Sequence, residues 1–457
     1  MKRRIPTVSL FLMLACLLAA LRGAEPLQVC GDQVALGVPD WIRHATVYEV
    51  NVRQYSAAGN FAGVEADLPR LRQLGVGVLW FMPIQPIGVV NRKGPLGSPY
   101  SVRDYYGVNP EFGTAAEFTR LVAAAHAQGL HVVLDWVGNH TAWDNPLVTE
   151  HPDFYVHDAQ GHCVPPSGTD WSDVVQLDFT NHAVWDYEAA AMTHWVRDVG
   201  VDGFRCDFAS GVPTACWDAI AARLRAVRPD VFLLAEAEVP QEQLHAFNAS
   251  YSFGMMKVFD DVATGGAGVS RIDDELARTA VLFPRGAALL RYTTNHDENS
   301  WSGTVGERLG GGVQSFAVLS FMLDGIPLIY DGQEAGLDRR LKFFERDPIT
   351  WRESPLFDFY RTLCTLRRTD PALATGAAMR RVATTANGSV YAVEREAAGH
   401  RVVAFCNLTA KDATVEAADP ALSGRWRDVF TGEMVTWQAP VSFPLTAWKY
   451  RVLVSAE

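Results

Sequence analysis

Eight apolar, β-branched runs of strand length recur between residues 47 and 330, each separated from the next by a segment of helical character, and this alternation is the strongest constraint on the fold. The runs are residues 47–52, 76–81, 131–137, 203–208, 232–237, 249–253, 289–294 and 328–330. Residues 64–74, 115–128 and 184–199 carry apolar side chains at helical spacing. Each of these three is followed by a glycine, Gly75, Gly129 or Gly200, where helices commonly close in a left-handed turn. Residues 213–227, 269–282 and 314–323 continue the helical rhythm. Apolar strands alternating with amphipathic helices predict a parallel sheet covered by helices. Eight such units predict an α/β protein built on a (β/α)8 TIM barrel.

One connection breaks the rhythm. The stretch between the third run and the helix starting near Val184 is long, rich in His, Asp, Pro and Gly, and has little periodicity. A loop of that length is usually functional. Residues 141–177 are therefore expected to form a small inserted domain, with Trp143, Tyr155 and Trp171 either walling a cleft or filling a small core. Beyond residue 374 the texture becomes alternating runs (389–395, 401–407, 448–454) separated by Gly, Pro and Asn, which predicts a C-terminal antiparallel β-sandwich. The expected division is a signal peptide at 1–24, barrel at 25–140 and 178–373, insert at 141–177 and β domain at 374–457.

Lys2, Arg3 and Arg4 precede an apolar stretch at 8–21 and then small residues, the pattern of a secretory signal. Export to the periplasm or the exterior is expected. A lipid anchor on Cys16 is the less favoured alternative, because the apolar residues 17–20 follow it. The stretch is too short for a comfortable membrane span, so no transmembrane domain is expected. A net charge of −12 disfavours nucleic acid and anionic membranes as partners. The other cysteines, Cys30, Cys163, Cys206, Cys216, Cys364 and Cys406, form no CxxC pair and so suggest no metal cluster. Export permits disulfides but the spacing does not assign them. Cys206 falls in a core run and is expected to be a buried thiol.

Four islands place polar groups where strands end: DWVGNH (135–140), GFRCDF (203–208), LLAEAE (233–238) and TTNHDENS (293–300). The carboxyl ends of barrel strands are where such folds keep their active sites. Asp207, Glu236 and Asp297 come from three different strands and suit glycoside chemistry. Retaining hydrolysis needs a carboxylate nucleophile and a carboxylic acid about 5–5.5 Å apart, and a third acid can stabilise the cationic transition state. Arg205 and Asp207 are two apart and share a strand face. Arg205 is expected to keep Asp207 ionised by lowering its pKa. Glu236 follows an apolar run, and a dry setting would raise its pKa as general acid work requires. Glu238 shares its face and is the alternative acid, with Glu236 favoured. His140 and His296, beside Asn139 and Asp297, are read as ligand contacts, whereas Trp80 and Phe81 are read as core.

These residues resemble glycoside hydrolase family 13, the α-amylase family, at Asp135, Asn139 and His140; Gly203, Arg205 and Asp207; Glu236; and Asn295, His296 and Asp297. Further similarity lies in GVLWFMPI (77–84), SPYSVRDYYGVNPEFGT (98–114) and GIPLIYDGQE (325–334), so the resemblance spans nearly the whole barrel. It implies Asp207 as nucleophile, Glu236 as acid/base and Asp297 as transition-state stabiliser. Tyr100, Asp135, His140, Arg205 and His296 are implied as substrate-binding residues, Tyr100 by stacking on the sugar. No cofactor is required. Calcium is accommodated by some members, and Asn139 with Asp178 is the candidate here, although Gln176 replaces the acidic ligand often used. Gly97 stands where exo-acting α-glucosidases often carry an Asp, which leans towards endo action. The implied activity is retaining hydrolysis of α-1,4-glucosidic bonds in starch, glycogen or maltooligosaccharides by a monomer. An α-glucan transglycosylase, an α-glucosidase or a debranching enzyme on the same scaffold is the alternative. A non-catalytic scaffold protein is disfavoured because the three acids are intact.

Overall fold

The computed structural model describes residues 26–456, so the expected signal peptide and Cys16 lie outside the described residues. Eight parallel strands close into a barrel in sequential order: β1 (Val47–Val50), β2 (Val78–Phe81), β3 (His131–Trp136), β4 (Gly203–Cys206), β5 (Phe232–Ala235), β6 (Ala249–Ser250), β7 (Ala288–Arg291) and β8 (Ile326–Tyr330), with β8 pairing back onto β1. Most expected runs extend one to three residues past these C-terminal ends. At β4 and β5 the overshoot has a visible cause: Asp207 and Glu236 come immediately after their strands and leave the ladder to face the cleft. Val47, Val78, Trp80, Val133, Phe232, Leu234, Leu290 and Leu328 fill the barrel interior. A larger apolar layer lies between strands and helices. Gly203 admits the close approach of β4 and β5, since a Cβ there would stand 2.0 Å from the Phe232 carbonyl oxygen.

The helices follow the sequence with instructive exceptions. Residues 64–74 form two pieces, Phe61–Glu65 and Leu68–Leu74, the second beginning around Pro69, which fits a first turn but not a helix interior. Thr114 caps Ala115–Ala127 through a reciprocal bond with Glu117. His182–His194 passes into a π-helical turn, Trp195–Val199, that closes at left-handed Gly200. Helices at Phe253–Ala263 and Pro355–Thr369 were not anticipated. Among the described residues no helix is long and apolar enough to cross a membrane, and the six cysteines are unpaired, Cys206 being fully buried.

Between β3 and β4, the strands His140–Ala142 and Val174–Gln176 pair antiparallel and anchor the insert directly over the barrel mouth. The C-terminal region folds as a six-stranded antiparallel sheet and a two-stranded sheet, Ala413–Ala417 with Val441–Leu445. Val390, Phe405, Val415, Trp426 and Phe443 make a core of their own between them. Arg395, fully buried, fastens this region to the barrel: its guanidinium donates to the carbonyls of Met322, Ala374 and Ala377 and to Asp324.

Candidate active site

The register of the barrel sets Asp135 on β3 beside Arg205 on β4, and both are completely buried. Arg205 is the hub of the site. Its Nη1 donates to Asp135 Oδ1 at 2.9 Å and Asp207 Oδ1 at 3.0 Å, and its Nη2 lies 2.6 Å from Glu236 Oε1. The rings of Trp80, Tyr100 and Tyr251 surround the guanidinium at 5.1, 5.7 and 5.4 Å, a cage that stabilises a desolvated cation. Trp80, read as core, does more than pack: its Nε1 donates to Asp135 Oδ2 at 3.2 Å.

His296 in turn links three groups. Its Nδ1 faces the carboxylate of Glu49, and its Nε2 lies 3.2 Å from Asp297 Oδ2 and 2.8 Å from the Tyr100 hydroxyl. The Tyr100 hydroxyl also bonds Asp135 Oδ2 at 3.1 Å, which joins the two halves of the site. His140 packs against Trp171 of the insert, with ring centroids 5.4 Å apart. Phe208, directly after Asp207, adopts the left-handed conformation (φ 42°, ψ 47°). Its amide N–H is thereby turned to donate to Glu236 Oε2 at 2.8 Å. Strain of this kind in a non-glycine residue is characteristic of functional sites.

Every sequence-assigned site residue is thus gathered around one cleft of about 790 Å3, whose lining includes Tyr100, His140, Asp207, Glu236 and Asp297. Asp135, Arg205 and His296 form its buried floor. That size suits a small-molecule site. Glu238 also reaches the cleft, but it is tied to Arg278 at 3.0 Å and to the Gly254 N–H at 2.9 Å.

Burial dominates the electrostatics. It pushes Glu236 up to about 8, against Arg205 and aided by Asp207 and Asp297. It also raises Asp207 to about 6, despite Arg205 and with help from Asp135 and Asp297. The expectation of a lowered Asp207 is therefore corrected: one guanidinium shared among three carboxyl groups does not offset their desolvation and mutual repulsion. Asp135 rises to about 6 for the same reason. Burial would raise Asp297 too, but His296 prevails and holds it low. Burial would lower His296, but Asp297 and Glu49 outweigh it and keep the ring an imidazolium. His140, with no acid partner, is lowered by burial to about 4 and is neutral.

Sequence reasoning missed Glu49 and Tyr251. The signal for Glu49 was available, since it is a lone carboxylate within the apolar strand VYEV (47–50). Asn139 is fully buried, yet its amide is satisfied by Gln176: Nε2 donates to Asn139 Oδ1 at 3.0 Å and to the Asn139 carbonyl at 3.1 Å. Asp178 Oδ1 accepts instead from the Thr180 amide and hydroxyl. A hard cation needs six or more converging oxygens, and a pair of interlocked amides does not fit it.

The family model for the α-amylase catalytic domain matches residues 43–220. An α-amylase crystal structure from Lactobacillus plantarum superposes with a TM-score of 0.82 at 32% identity, over 91% of this chain and 100% of that one. The chain belongs to the α-amylase family. Among other members of this glycoside hydrolase family, the maltogenic α-amylase AmyB of Thermotoga neapolitana gives a TM-score of 0.84 at 27% identity, over 91% of this chain and 100% of its own. α-Amylase MalA of Haloarcula japonica is 28% identical over 390 residues, 82% of this chain. The present α-amylase family member spans 55% of the length of that relative.

Proposed function

We propose that this protein is a retaining hydrolase of α-1,4-glucosidic bonds in starch, glycogen or maltooligosaccharides. The observation that carries the reading is the contact of one guanidinium, that of Arg205, with both Asp207 and Glu236. Two carboxyl groups held on one such fork fit the separation of about 5–5.5 Å that retention requires. Asp207 attacks the anomeric carbon while Glu236, still protonated near neutrality, gives its proton to the departing glycosidic oxygen. A covalent glycosyl–enzyme forms and the aglycone leaves. Glu236, now a carboxylate, takes a proton from water as the water oxygen attacks the same carbon, and Asp207 is released. Asp297, kept ionised by His296, faces the positive charge that develops on the ring. His140 and Tyr100 line the cleft and are assigned as sugar contacts. The α-amylase relatives support an α-glucan substrate, and the amino-terminal pattern supports export.

The test is a product time course on soluble starch, maltoheptaose and pullulan, with Asp207→Asn as control. Short maltooligosaccharides appearing early from starch, and none from the variant, are expected. Glucose as sole product would replace the reading with an α-glucosidase. Products longer than the maltoheptaose supplied would replace it with a transglycosylase; a transferase is named among the relatives, the alpha-1,4-glucan:maltose-1-phosphate maltosyltransferase of Rhodospirillum rubrum, 33% identical over 264 residues. No turnover of any of the three would end it.

A further inference from the structure

We propose that Gln176 is a positioning residue whose amide nitrogen takes the place of a cation: it fills a nest of three oxygens, ties the insert to the barrel and sets the tautomer of His140. Gln176 closes the insert strand Val174–Gln176 and is the register partner of His140. Its Nε2 donates to the Asn139 carbonyl at 3.1 Å, to Asn139 Oδ1 at 3.0 Å and to the Leu177 carbonyl at 3.0 Å. Three oxygens thus converge on one nitrogen that carries two hydrogens and a partial positive charge. The Leu177 N–H donates to the same Asn139 carbonyl at 3.2 Å, so side chain and main chain close on Asn139 together. Asn139 is fully buried, and its Oδ1 is pressed against the loop that follows Asp207: a Cβ on Gly211 would stand 2.5 Å from it. Calcium needs six or more oxygens around one centre, and here the amide nitrogen holds that centre.

The orientation of each group fixes the next. Main-chain carbonyls only accept, so the Gln176 atom that faces those of Asn139 and Leu177 is its nitrogen. Asn139 must then turn Oδ1 towards it. That leaves Asn139 Nδ2 3.3 Å from Gln176 Oε1 and 3.2 Å from His140 Nδ1. An amide nitrogen only donates, so His140 Nδ1 accepts. The ring is neutral, and its single hydrogen therefore stands on Nε2. A side chain of the insert dictates, through one buried asparagine, which nitrogen of a cleft-lining histidine carries the proton. The ring is set before any ligand arrives, which spares binding the cost of ordering it.

The test reads the tautomer and the cation separately from turnover. In protein labelled with 15N-histidine, the ring nitrogens of His140 are assigned by their absence in His140→Gln. The parent is expected to show hydrogen on Nε2 alone at neutral pH. Gln176→Ala is expected to show both tautomers, with kcat/KM for maltoheptaose lowered about tenfold or more. Gln176→Met, of similar length and without an N–H, reads the same signal if Gln176→Ala fails to fold. The Tm of the parent is expected to agree within about 1 °C in excess EGTA and in excess calcium chloride. Gln176→Glu, which sets a carboxylate against the three oxygens, is expected to melt lower in EGTA and to gain about 3 °C or more with calcium. An unchanged His140 tautomer in Gln176→Ala or Gln176→Met would overturn the proposal. So would a parent stabilised by calcium to that extent, or Gln176→Glu as stable as the parent in EGTA. Failure of the parent to cleave any α-glucan would end the functional reading above and leave these signals as they are.

Discussion

Glu49 and His296 form a buried ion pair on the floor of the cleft, on the face of the imidazole opposite Asp297. Burial works against a charged ring, and Glu49 together with Asp297 reverses that outcome. A carboxylate outside the cleft lining therefore helps to set the charge of the ring beside Asp297.

Glu49→Gln keeps the volume and removes the charge. We expect kcat on maltoheptaose to fall by about tenfold or more, equivalent to about 1.4 kcal/mol of transition-state stabilisation, with KM changing less. Glu49→Ala leaves a buried cation without its partner and is expected to cost about 3–5 kcal/mol in thermal or urea unfolding. Unchanged kcat in Glu49→Gln would show that Asp297 alone suffices to hold the ring.

The proposed mechanism needs Asp207 ionised and Glu236 protonated. With burial placing them at about 6 and about 8, kcat/KM for maltoheptaose should be bell-shaped, with limbs near those values. The limbs belong to the coupled set of carboxyl groups. α-Maltosyl fluoride, whose leaving group needs no proton, should lose the alkaline limb of its glycosylation step and keep the acid one. An alkaline limb retained with the fluoride would remove Glu236 from the role of proton donor.

The same shifts predict a stability effect of definite sign. Glu236 is raised in the folded state, so between its ordinary value of 4.5 and about 8 the native protein holds a proton that the unfolded chain has released. Stability then falls as pH rises through that window, by on the order of 1 kcal/mol per pH unit from this group. Glu236→Gln should remove that slope and raise Tm relative to the parent at pH 8, while abolishing activity. Parallel Tm–pH curves for the two proteins would show that Arg205 keeps Glu236 ionised throughout.

Arg395 carries a different kind of weight. Arg395→Ala strips the donor from the buried Met322 carbonyl, the half-buried carbonyls of Ala374 and Ala377, and Asp324, where the C-terminal sheet meets the barrel. We expect a loss of about 3–5 kcal/mol in unfolding free energy. Calorimetry would show it as a lowered Tm or as separate unfolding of the two regions, and an unaltered single transition would contradict the assigned role.

The barrel was legible because its strands are apolar on both faces and its helices are punctuated by glycines 75, 129 and 200. Seven of the eight residues gathered at the cleft were legible because each sits in one of four short polar islands at the end of a strand or just beyond it, whereas Tyr100, in the loop after the second strand, was carried by the resemblance over 98–114. What escaped was of another kind. Glu49 meets its partner from the far side of the barrel closure, 247 residues away, and no local pattern reports such a pairing. Trp80 reads as core because it is core, and its bond to Asp135 is set by barrel register. The direction of Asp207 was misjudged because a neighbouring arginine is visible in sequence, whereas the sharing of that arginine with Asp135 and Glu236 is not. The split of residues 64–74 was signalled by Pro69, and the apolar spacing masked it.

The left-handed turn at Phe208 divides labour within a single residue. Its main chain holds Glu236, the proposed acid/base, while its ring stands in the cleft against Trp171, the two centroids 5.1 Å apart. The steering contact is made by an amide that every amino acid except proline possesses, and glycine would take up the same backbone without strain. Position 208 is therefore a place where the contour of the cleft can drift under selection, or be rewritten by an engineer, while the proton-transfer apparatus beside it stays as it is.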